Sequence, residues 1–187
     1  MNPPFLKSGK LVIRAFKRKD LKIFAQYRSD ELVAKYQSWT NYTYEDAVKL
    51  FEDMDYSTFG TVGCWYQLAI ALQDSDELVG DLAVHFIDQD QLEIGFTIAP
   101  VYQGKHVATE AVSCFIGYVF NELKKHRVVA TTDTENTASY GLLEKLKFRR
   151  EGHFIKNIFF KGAWGDEYQY GLLRTEQSTH NKLNNID

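Results

Sequence analysis

One segment near the middle of the chain combines a strand, a glycine-containing loop and a helix in the order that suits anion binding. The strand ends before Pro100, the polar loop carries Gly104, and apolar residues at helical spacing follow from about Lys105. The first four N–H groups of a helix lack intrahelical partners, and the helix dipole makes that end electropositive. A diphosphate would fit such a site, because small residues at Gly104 and Ala108 let the backbone approach it closely.

A purely structural explanation of the same loop stays open. Gly104 could simply end a turn, and the helix after it could do no more than pack. Two other phosphate-binding patterns are absent from the chain: the Gly-x-x-x-x-Gly-Lys-Ser/Thr loop of nucleotide triphosphatases and the Gly-x-Gly-x-x-Gly turn of dinucleotide-binding dehydrogenases. The sequence therefore argues against both of these enzyme classes.

Few other side chains suggest a reactive centre. The five histidines are scattered, and neither a His-Glu-x-x-His nor a Cys-x-x-Cys motif occurs. Asp88 and Asp90 are best explained as a turn between two strands. Cys64 and Cys114 each stand among apolar neighbours, so we interpret them as core residues and not as nucleophiles or disulfide partners. No metal site is predicted.

The elements that must position the loop follow from the hydrophobic pattern. Strands are predicted at residues 11–16, 65–72, 78–86, 91–98, 127–132, 148–160 and 164–172. Helices are predicted at about 19–36, 43–54, 105–120 and 136–145, with Thr43 and Asn136 as caps. Short polar turns separate the strands between 65 and 98, which is typical of an antiparallel meander, and a hairpin turn is predicted at Lys161-Gly162-Ala163.

This order of elements predicts an α/β fold. We expect a mixed, mostly antiparallel sheet of about six or seven strands, flanked by about four helices. A chain of 187 residues suits a single domain with one core, so we assign residues 1–187 to one domain. Its core is expected at about residues 10–174, and a polar tail at 175–187.

Composition and charge narrow the range of partners. The net charge is −3 and no basic stripe is visible, so we expect no nucleic-acid partner. No segment approaches the ~18 apolar residues that a membrane span requires. Residues 1–11 lack the apolar run of a signal peptide. We therefore expect a cytoplasmic protein without a membrane partner, and the mild acidic excess slightly favours cationic substrates such as amines.

Several short runs of sequence occur in the order typical of one enzyme superfamily. The central run is Glu93-Ile94-Gly95, followed by Tyr102-Gln103-Gly104-Lys105-His106-Val107-Ala108-Thr109-Glu110-Ala111. It is flanked by Leu11-Val12-Ile13-Arg14 before it, and by Asn136-Thr137-Ala138-Ser139, Leu143-Glu144-Lys145-Leu146-Lys147-Phe148 and Gly162-Ala163-Trp164-Gly165-Asp166 after it. Together they resemble the GNAT acetyltransferases, and within them the branch of the ribosomal-protein alanine N-acetyltransferases (RimJ/RimL-like). The similarity covers about residues 10–174.

The resemblance implies acetyl-CoA as cosubstrate and no metal. In this family the strand corresponding to residues 91–98 splays from its neighbour, and the pantetheine amides pair with its exposed backbone like an added strand. The backbone concerned here is that of Phe96, Thr97 and Ile98. The diphosphate-binding residues correspond to Gln103, Gly104, Lys105, His106, Val107, Ala108 and Thr109. Asn136 is expected to hold the pantetheine.

The resemblance also implies that an amine attacks the thioester directly, without a protein nucleophile. Glu93, on the splayed strand, is the expected base, acting directly or through water, although it could instead face solvent or pair with an arginine. Many GNAT enzymes use a tyrosine as the acid, but Leu143 stands at that position. Ser139 is therefore expected to hydrogen-bond the leaving sulfur; the alternative is that Asn136 and Ser139 only cap a helix.

Two residues depart from the family pattern. His106 stands in the loop where a glycine is usual, and Lys147 replaces the glycine before Phe148 at the end of a helix. If either position has a positive φ, a residue with a Cβ is strained there. The departure at His106 concerns affinity for CoA, whereas that at Lys147 concerns folding.

The leading hypothesis is an N-acetyltransferase that acts on a primary amine, with a protein N-terminus as the nearest family analogy. Two alternatives stay open: a small-amine acetyltransferase for an aminoglycoside or polyamine, and a non-catalytic CoA-binding regulatory module. A homodimer is also compatible with the sequence. The many aromatic residues between 36 and 66 could belong to the core, a dimer contact or the acceptor pocket.

Overall fold

The structure is a computed structural model that describes residues 1–177. Its strands are β1 Leu6–Ser8, β2 Leu11–Ala15, β3 Trp65–Leu72, β4 Leu78–Phe86, β5 Gln91–Ile98, β6 Arg127–Asp133, β7 Arg149–Phe160 and β8 Ala163–Leu173. Its helices are α1 Leu21–Arg28, α2 Glu31–Ala34, α3 Tyr44–Asp53, α4 Val107–Asn121 and α5 Thr137–Lys145. Most of the predicted polar tail lies outside the described residues.

The strands form one sheet of eight in the order β1-β2-β3-β4-β5-β6-β8-β7. Neighbouring strands are antiparallel except β5 and β6, which run parallel. The predicted mixed, mostly antiparallel α/β fold is confirmed. The sheet has more strands than predicted because the short β1 pairs with β2 across a turn at Gly9, where φ is 48°. So short a strand shows no recognisable period in the sequence.

The predicted helix at residues 19–36 is interrupted in the structure. Arg18–Asp20 is a 3-10 turn, and α1 ends at Arg28. Asp30 then begins α2, because its side chain accepts hydrogen bonds from the N–H groups of Leu32 and Val33. An aspartate that bonds the amides after it favours a helix start over a helix interior. Several residues after this break line the cleft described below.

The helix after the glycine-containing loop packs its apolar side against one face of the sheet. The buried residues of α4 are Ala111, Val112, Phe115, Ile116, Val119 and Phe120, as the helical spacing predicts. They share one core cluster with residues of β4, β5 and β6, among them Val84, Ile94 and Val128. Because both the strand and the helix are buried in this cluster, the loop that joins them has a fixed position.

The opposite face of the sheet is covered by α1 and α3. Phe24 and Tyr27 of α1 pack with Leu78 of β4 in a second cluster. At the start of α3 the Thr43 hydroxyl accepts the Asp46 N–H at 3.1 Å, and the Asp46 carboxylate accepts the Thr43 N–H at 2.8 Å. This reciprocal pair is a capping box, so the predicted cap at Thr43 is confirmed.

The end of α5 has a left-handed residue that is not glycine. Lys147 has a φ of 69°. Its N–H donates to the Glu144 carbonyl at 3.0 Å, and the Phe148 N–H donates to the Leu143 carbonyl at 2.9 Å. These are the two bonds of the Schellman motif, which favours glycine at this position. The departure from glycine therefore does place a side chain in a strained conformation.

A long hairpin of β7 and β8 ends the described sheet. Its turn consists of Lys161 and Gly162, with φ values of 49° and 85°. Two successive positive φ angles are those of a type I′ turn, which joins strands through two residues. The predicted hairpin is confirmed. Its turn contacts α2, where the Lys161 ammonium donates to the Ala34 carbonyl at 2.5 Å.

Replacing Lys147 by glycine should stabilise the protein. Glycine adopts a positive φ without a clash of Cβ, so we expect the free energy of unfolding to rise by about 1 kcal/mol. Urea unfolding followed by circular dichroism measures the change. Lys145→Gly is the matched control, because Lys145 lies in the last turn of α5. Glycine there should lower the free energy of unfolding by about 1 kcal/mol. Equal effects of the two substitutions would contradict the assignment.

Candidate active site

The parallel strands β5 and β6 separate soon after they meet. Their pairing begins at Gln91 and Arg127 and, within the described residues, ends at Glu93 and Val129. Beyond that point β5 stays paired with β4 up to Ile98, whereas β6 pairs with β8. The splay that the family resemblance implies is therefore confirmed, and a gap opens between the two strands.

The register of β4 and β5 identifies the peptide groups that face this gap. The Ala99 N–H donates to the Val79 carbonyl at 2.9 Å. Because bonded and non-bonded pairs alternate in an antiparallel ladder, the odd-numbered residues of β5 exchange hydrogen bonds with β4. Ile94, Phe96 and Ile98 consequently point their N–H and C=O groups toward the gap.

The predicted backbone contacts at Phe96, Thr97 and Ile98 are therefore not equivalent. Phe96 presents its peptide groups to the gap. The Ile98 carbonyl already accepts a hydrogen bond from the Gln103 side-chain amide at 2.9 Å, which braces the loop against the strand. Thr97 is the register partner of Asp81 on β4, so its peptide groups face away from the gap.

The loop between β5 and α4 contains two left-handed residues. Gly104 has a φ of 71°, and His106 has a φ of 62°. A Cβ on Gly104 would meet no atom within 4 Å, so glycine is needed there for its backbone conformation and not for space. His106 is the N-cap of α4, and its side chain makes no capping hydrogen bond. His106 thus adopts a left-handed conformation, which favours glycine.

The start of α4 presents amides that precede its first internal hydrogen bond. That bond runs from the Glu110 N–H to the His106 carbonyl at 3.0 Å. The amides before it are those of Val107, Ala108 and Thr109. An anion in front of these groups gains hydrogen bonds and a favourable interaction with the helix dipole.

The next helix, α5, also begins at the gap. The Asn136 Oδ1 accepts the Ser139 N–H at 3.1 Å, which confirms the predicted cap. Both residues line the same cleft as the loop. The cap uses only Oδ1 of Asn136 and the backbone of Ser139, so it is compatible with ligand contacts by the Asn136 NH2 group and the Ser139 hydroxyl.

A cleft of about 860 Å³ joins these elements. The predicted site residues that line it are Phe96, Thr97, Ile98, Gln103, Gly104, His106, Val107, Ala108, Thr109, Asn136 and Ser139. Its volume is typical of a pocket for a small molecule. Two predicted residues are outside the lining: Glu93, and Lys105, whose ammonium lies 5.6 Å from the centroid of the Tyr102 ring.

Glu93 lies one pleat beyond the wall of the cleft. It shares a sheet face with Gly95, which does line the cleft, because alternate residues of a strand point to the same side. Its Oε2 lies 3.6 Å from Nδ1 of His85 on β4. Within the described residues the side chain that faces this carboxylate is thus a histidine and not an arginine. Glu93 is also the last residue of β5 that pairs with β6, so it stands where the gap begins.

The segment that follows α1 forms the wall opposite the loop. Arg28 is 5% exposed, and its guanidinium carbon lies 4.1 Å from the centroid of the Trp39 ring. Trp39 donates its Nε1 hydrogen to the Arg28 carbonyl at 2.9 Å. Among the aromatic residues that the sequence leaves unassigned, Tyr36 and Trp39 line this cleft. Tyr42, Trp65 and Tyr66 line a second pocket of about 550 Å³ between α3 and β3.

A buried aspartate attaches this wall to the sheet. Asp81 of β4 is 1% exposed and accepts hydrogen bonds from the Tyr27 hydroxyl, the Gln67 amide and, at 3.1 Å, the Arg28 guanidinium. Burial and the negative charge of Asp81 raise the pKa of Tyr27 well above its ordinary value, so the hydroxyl stays a donor. Removal of one partner from such a group leaves an uncompensated buried charge.

Two contacts bridge the cleft above the sheet. The Tyr36 hydroxyl donates to the Glu135 carbonyl at 3.2 Å, which connects the segment after α2 to the loop before α5. The Lys161 ammonium donates to the Ala34 carbonyl, as described above. The acceptor side is consequently narrower than an open groove.

Two carboxylates in the cleft lack a cationic partner. Asp133 of β6 and Glu167 of β8 are direct register partners, and both line the cleft. Asp133 accepts the Glu135 N–H at 2.7 Å, and Glu167 accepts the Asn157 side-chain amide at 2.5 Å. No salt bridge to either is found within residues 1–177. Like charges directly opposite on neighbouring strands repel, so a bound cation would be stabilised between them.

The structure also places Asp88 and the two cysteines. Asp88 accepts the N–H groups of Asp90 at 2.7 Å and Gln91 at 2.8 Å, which confirms a turn. Cys64 and Cys114 are free and pack partly buried against the core. In the described part of the chain, no group of three or more His, Cys, Asp and Glu is placed to hold a metal ion. The described helices include none that is both long and apolar enough to cross a membrane.

Sequence reasoning did not identify four charged residues that line the cleft: Arg28, Asp81, Asp133 and Glu167. Asp81 had a usable signal, because it stands alone in the apolar run of β4, where a buried charge requires a partner. Arg28 had none, since a cation at the end of a helix is ordinary on a protein surface. Asp133 and Glu167 become neighbours only through the pairing of β6 with β8.

Comparisons with known proteins agree with this geometry. A family model described as an acetyltransferase (GNAT) domain matches residues 10–149. The uncharacterized N-acetyltransferase YnaD of Bacillus subtilis is 35% identical over 172 residues, which cover 91% of this chain and 98% of that protein. A spermidine N(1)-acetyltransferase of Escherichia coli is 28% identical over 177 residues, which cover 91% of this chain and 89% of that protein.

A solved structure gives the same result. The crystal structure of a GNAT-family acetyltransferase from Bacillus anthracis superimposes with a TM-score of 0.84 at 34% identity, over 92% of this chain and 100% of that one. The family match covers most of the chain, and the relatives align over nearly their full lengths. With the splayed strands and the loop at the start of α4, these findings establish that the chain belongs to the GNAT family and is an acetyltransferase.

Proposed function

We propose that the protein transfers the acetyl group of acetyl-CoA to a primary amine by direct attack of the amine on the thioester. One observation carries this proposal. A single cleft connects the amides at the start of α4, the gap beside Phe96, and a wall that bears Asp133 and Glu167, whose carboxylates have no cationic partner within residues 1–177. An anionic donor and a cationic acceptor can therefore meet in it from opposite ends.

The donor side fits acetyl-CoA, which GNAT acetyltransferases use. The left-handed Gly104 and the open space beside it leave the loop backbone accessible to a diphosphate. The residues that would hold the diphosphate are Gln103, Gly104, Lys105, His106, Val107, Ala108 and Thr109. The peptide groups of Phe96 would pair with the pantetheine, and the Asn136 amide would hold it from the other side of the gap. Acetyl-CoA supplies an acyl group that is activated as a thioester.

Three groups of the chain handle the protons and the charge. The attacking amine must be neutral, which is easier for an α-amine of pKa ~8 than for an alkylamine near ~10.4. Glu93 accepts its proton, directly or through water, from the position where the gap begins. An N–H group of β5 that faces the gap and is not bonded to the pantetheine stabilises the oxyanion, and the Ser139 hydroxyl donates a hydrogen bond to the sulfur as it leaves.

The charge of the acceptor wall favours a small amine with further positive charges, such as a polyamine. Arg28 neutralises Asp81, and Lys35 lies 3.6 Å from Glu135, but Asp133 and Glu167 keep their charge. Of the relatives described above, one is named a spermidine acetyltransferase. The two bridging contacts narrow the cleft, which also suits a thin, flexible acceptor.

A protein N-terminus is the second candidate acceptor. Two large apolar side chains of the cleft lining are exposed: Leu32 at 80% and Ile158 at 37%. An exposed apolar surface next to a catalytic opening suits a macromolecular substrate. The sequence resemblance to the ribosomal-protein alanine N-acetyltransferases supports the same acceptor. The cytoplasmic location and the homodimer stay predictions.

A carboxylate at the start of α4 should weaken binding of the donor without harming the helix. In Thr109→Glu the new charge lies in the first turn, where it stabilises the helix dipole but repels a diphosphate. We expect saturable acetyl-CoA binding by the wild type in isothermal titration calorimetry. Thr109→Glu should bind at least about tenfold more weakly than the uncharged control Thr109→Gln. Equal affinities of the two variants would exclude the diphosphate site.

Removal of the Ser139 hydroxyl should slow turnover and spare the affinity for acetyl-CoA. We expect Ser139→Ala to lower kcat by about 10- to 100-fold, because the leaving sulfur loses a hydrogen-bond donor. Thiol release from acetyl-CoA measures turnover with a polyamine, an aminoglycoside and a peptide N-terminus. Ser113→Ala, on the exposed side of α4, is the control and should be unaffected. Tight acetyl-CoA binding without thiol release on any amine would instead favour the non-catalytic regulatory module.

Neutralising the carboxylates of Asp133 and Glu167 should weaken the binding of polyamines more than that of monoamines. We expect Glu167→Gln and Asp133→Asn each to raise the KM for spermidine by about tenfold, and to change that for a monoamine of similar length by less than about twofold. Glu135→Gln is the control, since Glu135 is exposed and already paired with Lys35. If the peptide is the best acceptor and neither variant alters its KM, the second candidate is favoured.

A further inference from the structure

His85 and Glu93 form a cross-strand pair beside the cleft. They are direct register partners on β4 and β5. Four residues away on each strand, Asp81 and Thr97 are partners on the same sheet face and line the cleft, as do Ala83 and Gly95 between the two pairs. The pair therefore continues the floor of the cleft at the end where β5 and β6 come together.

The surroundings of His85 leave its Nδ1 with one available partner. The imidazole stacks on the Trp65 indole at a centroid distance of 4.6 Å and an interplanar angle of 9°. Nδ1 is inaccessible to water and has no hydrogen-bond partner within the described residues. The Glu93 Oε2 lies 3.6 Å away, and a shift of about 0.7 Å would give an ordinary hydrogen bond.

The other charged groups on this part of the sheet are already paired. Asp81, on the same strand as His85, is held by Arg28. Arg127, on β6 before Val129, is bonded to Glu151 of β7. Neither competes for the Glu93 carboxylate, so the interaction between His85 and Glu93 is isolated within the described residues.

We propose that His85 is the positioning residue of Glu93 and the route by which its proton leaves. This inference rests on the proposed role of Glu93 as base. The acceptor ammonium gives one proton to the Glu93 carboxylate. The resulting carboxylic acid donates that proton to Nδ1, and the imidazole releases one from Nε2 to water, because 23% of the His85 side chain is exposed. One proton enters and one leaves, with no change in oxidation state.

The test compares the pH dependence of kcat in four variants, with the acceptor that gives the best turnover. Glu93→Gln should lose about 100-fold in kcat at neutral pH, as expected for removal of a base. His85→Gln and His85→Phe should each lose about tenfold, while KM for acetyl-CoA stays unchanged. All three losses in kcat should become smaller as the pH rises toward the pKa of the acceptor amine, because an amine that is already neutral needs no base. A role that is only structural would lower kcat by the same factor at every pH.

His153→Gln is the matched control. His153 also contacts an aromatic ring, that of Tyr168 in an edge-on arrangement, and faces the Asp166 carboxylate at 3.3 Å, but it lies on β7 outside the cleft lining. It should behave as the wild type, and thermal melting of each variant separates loss of folding from loss of function.

Three results would overturn the proposal, and they are distinguishable. In the first, the enzyme is active and Glu93→Gln is impaired, but both His85 variants match the wild type from pH 6 to 9. This result excludes the role of His85 and leaves that of Glu93 as base. An active enzyme in which Glu93→Gln is unimpaired excludes the base and its partner, but not acetyl transfer. A wild type that releases no thiol with any amine excludes the proposed function itself.

Discussion

The parting of β5 from β6 after Glu93 is the constraint on which the rest of the site depends. A strand in the interior of a sheet normally satisfies its peptide groups on both sides, so unpaired ones need another partner. Here β4 and the core hold β5 on one side, and β6 is held by β8 along its whole length. Both strands are therefore stable without each other, and the open edge at Phe96 is kept ready for a ligand that supplies the missing hydrogen bonds.

The two faces of the sheet position the two halves of the site by different interactions. On the donor side the contact is apolar, because α4 is buried against β4, β5 and β6 and this determines where its first amides lie. On the acceptor side the contact is polar, because Asp81 accepts hydrogen bonds from the Tyr27 hydroxyl and the Arg28 guanidinium, which hold α1 to the sheet. Apolar packing needs only shape and volume, whereas a buried charge requires particular partners. The acceptor side thus depends on particular side chains.

Much of this architecture was predictable from local patterns. The strands at 65–72, 78–86 and 91–98 were predicted with their observed bounds, because alternating apolar residues and polar turns act within a few residues. The same holds for the caps at Thr43 and Asn136. The break at Asp30 was missed, since an aspartate within an apolar helical pattern is compatible with both a continuous helix and a new start.

By itself, the sequence determined the class of fold, the position of the glycine-containing loop before α4, and the family whose chemistry this loop serves. These depend on neighbours in the chain. Only the tertiary structure decided that Asp133 meets Glu167, that Arg28 is buried on Asp81, and that His85 faces Glu93. Each of these pairs joins residues of different strands or helices, and their charge and proton affinity depend on a register and a burial that no local pattern specifies.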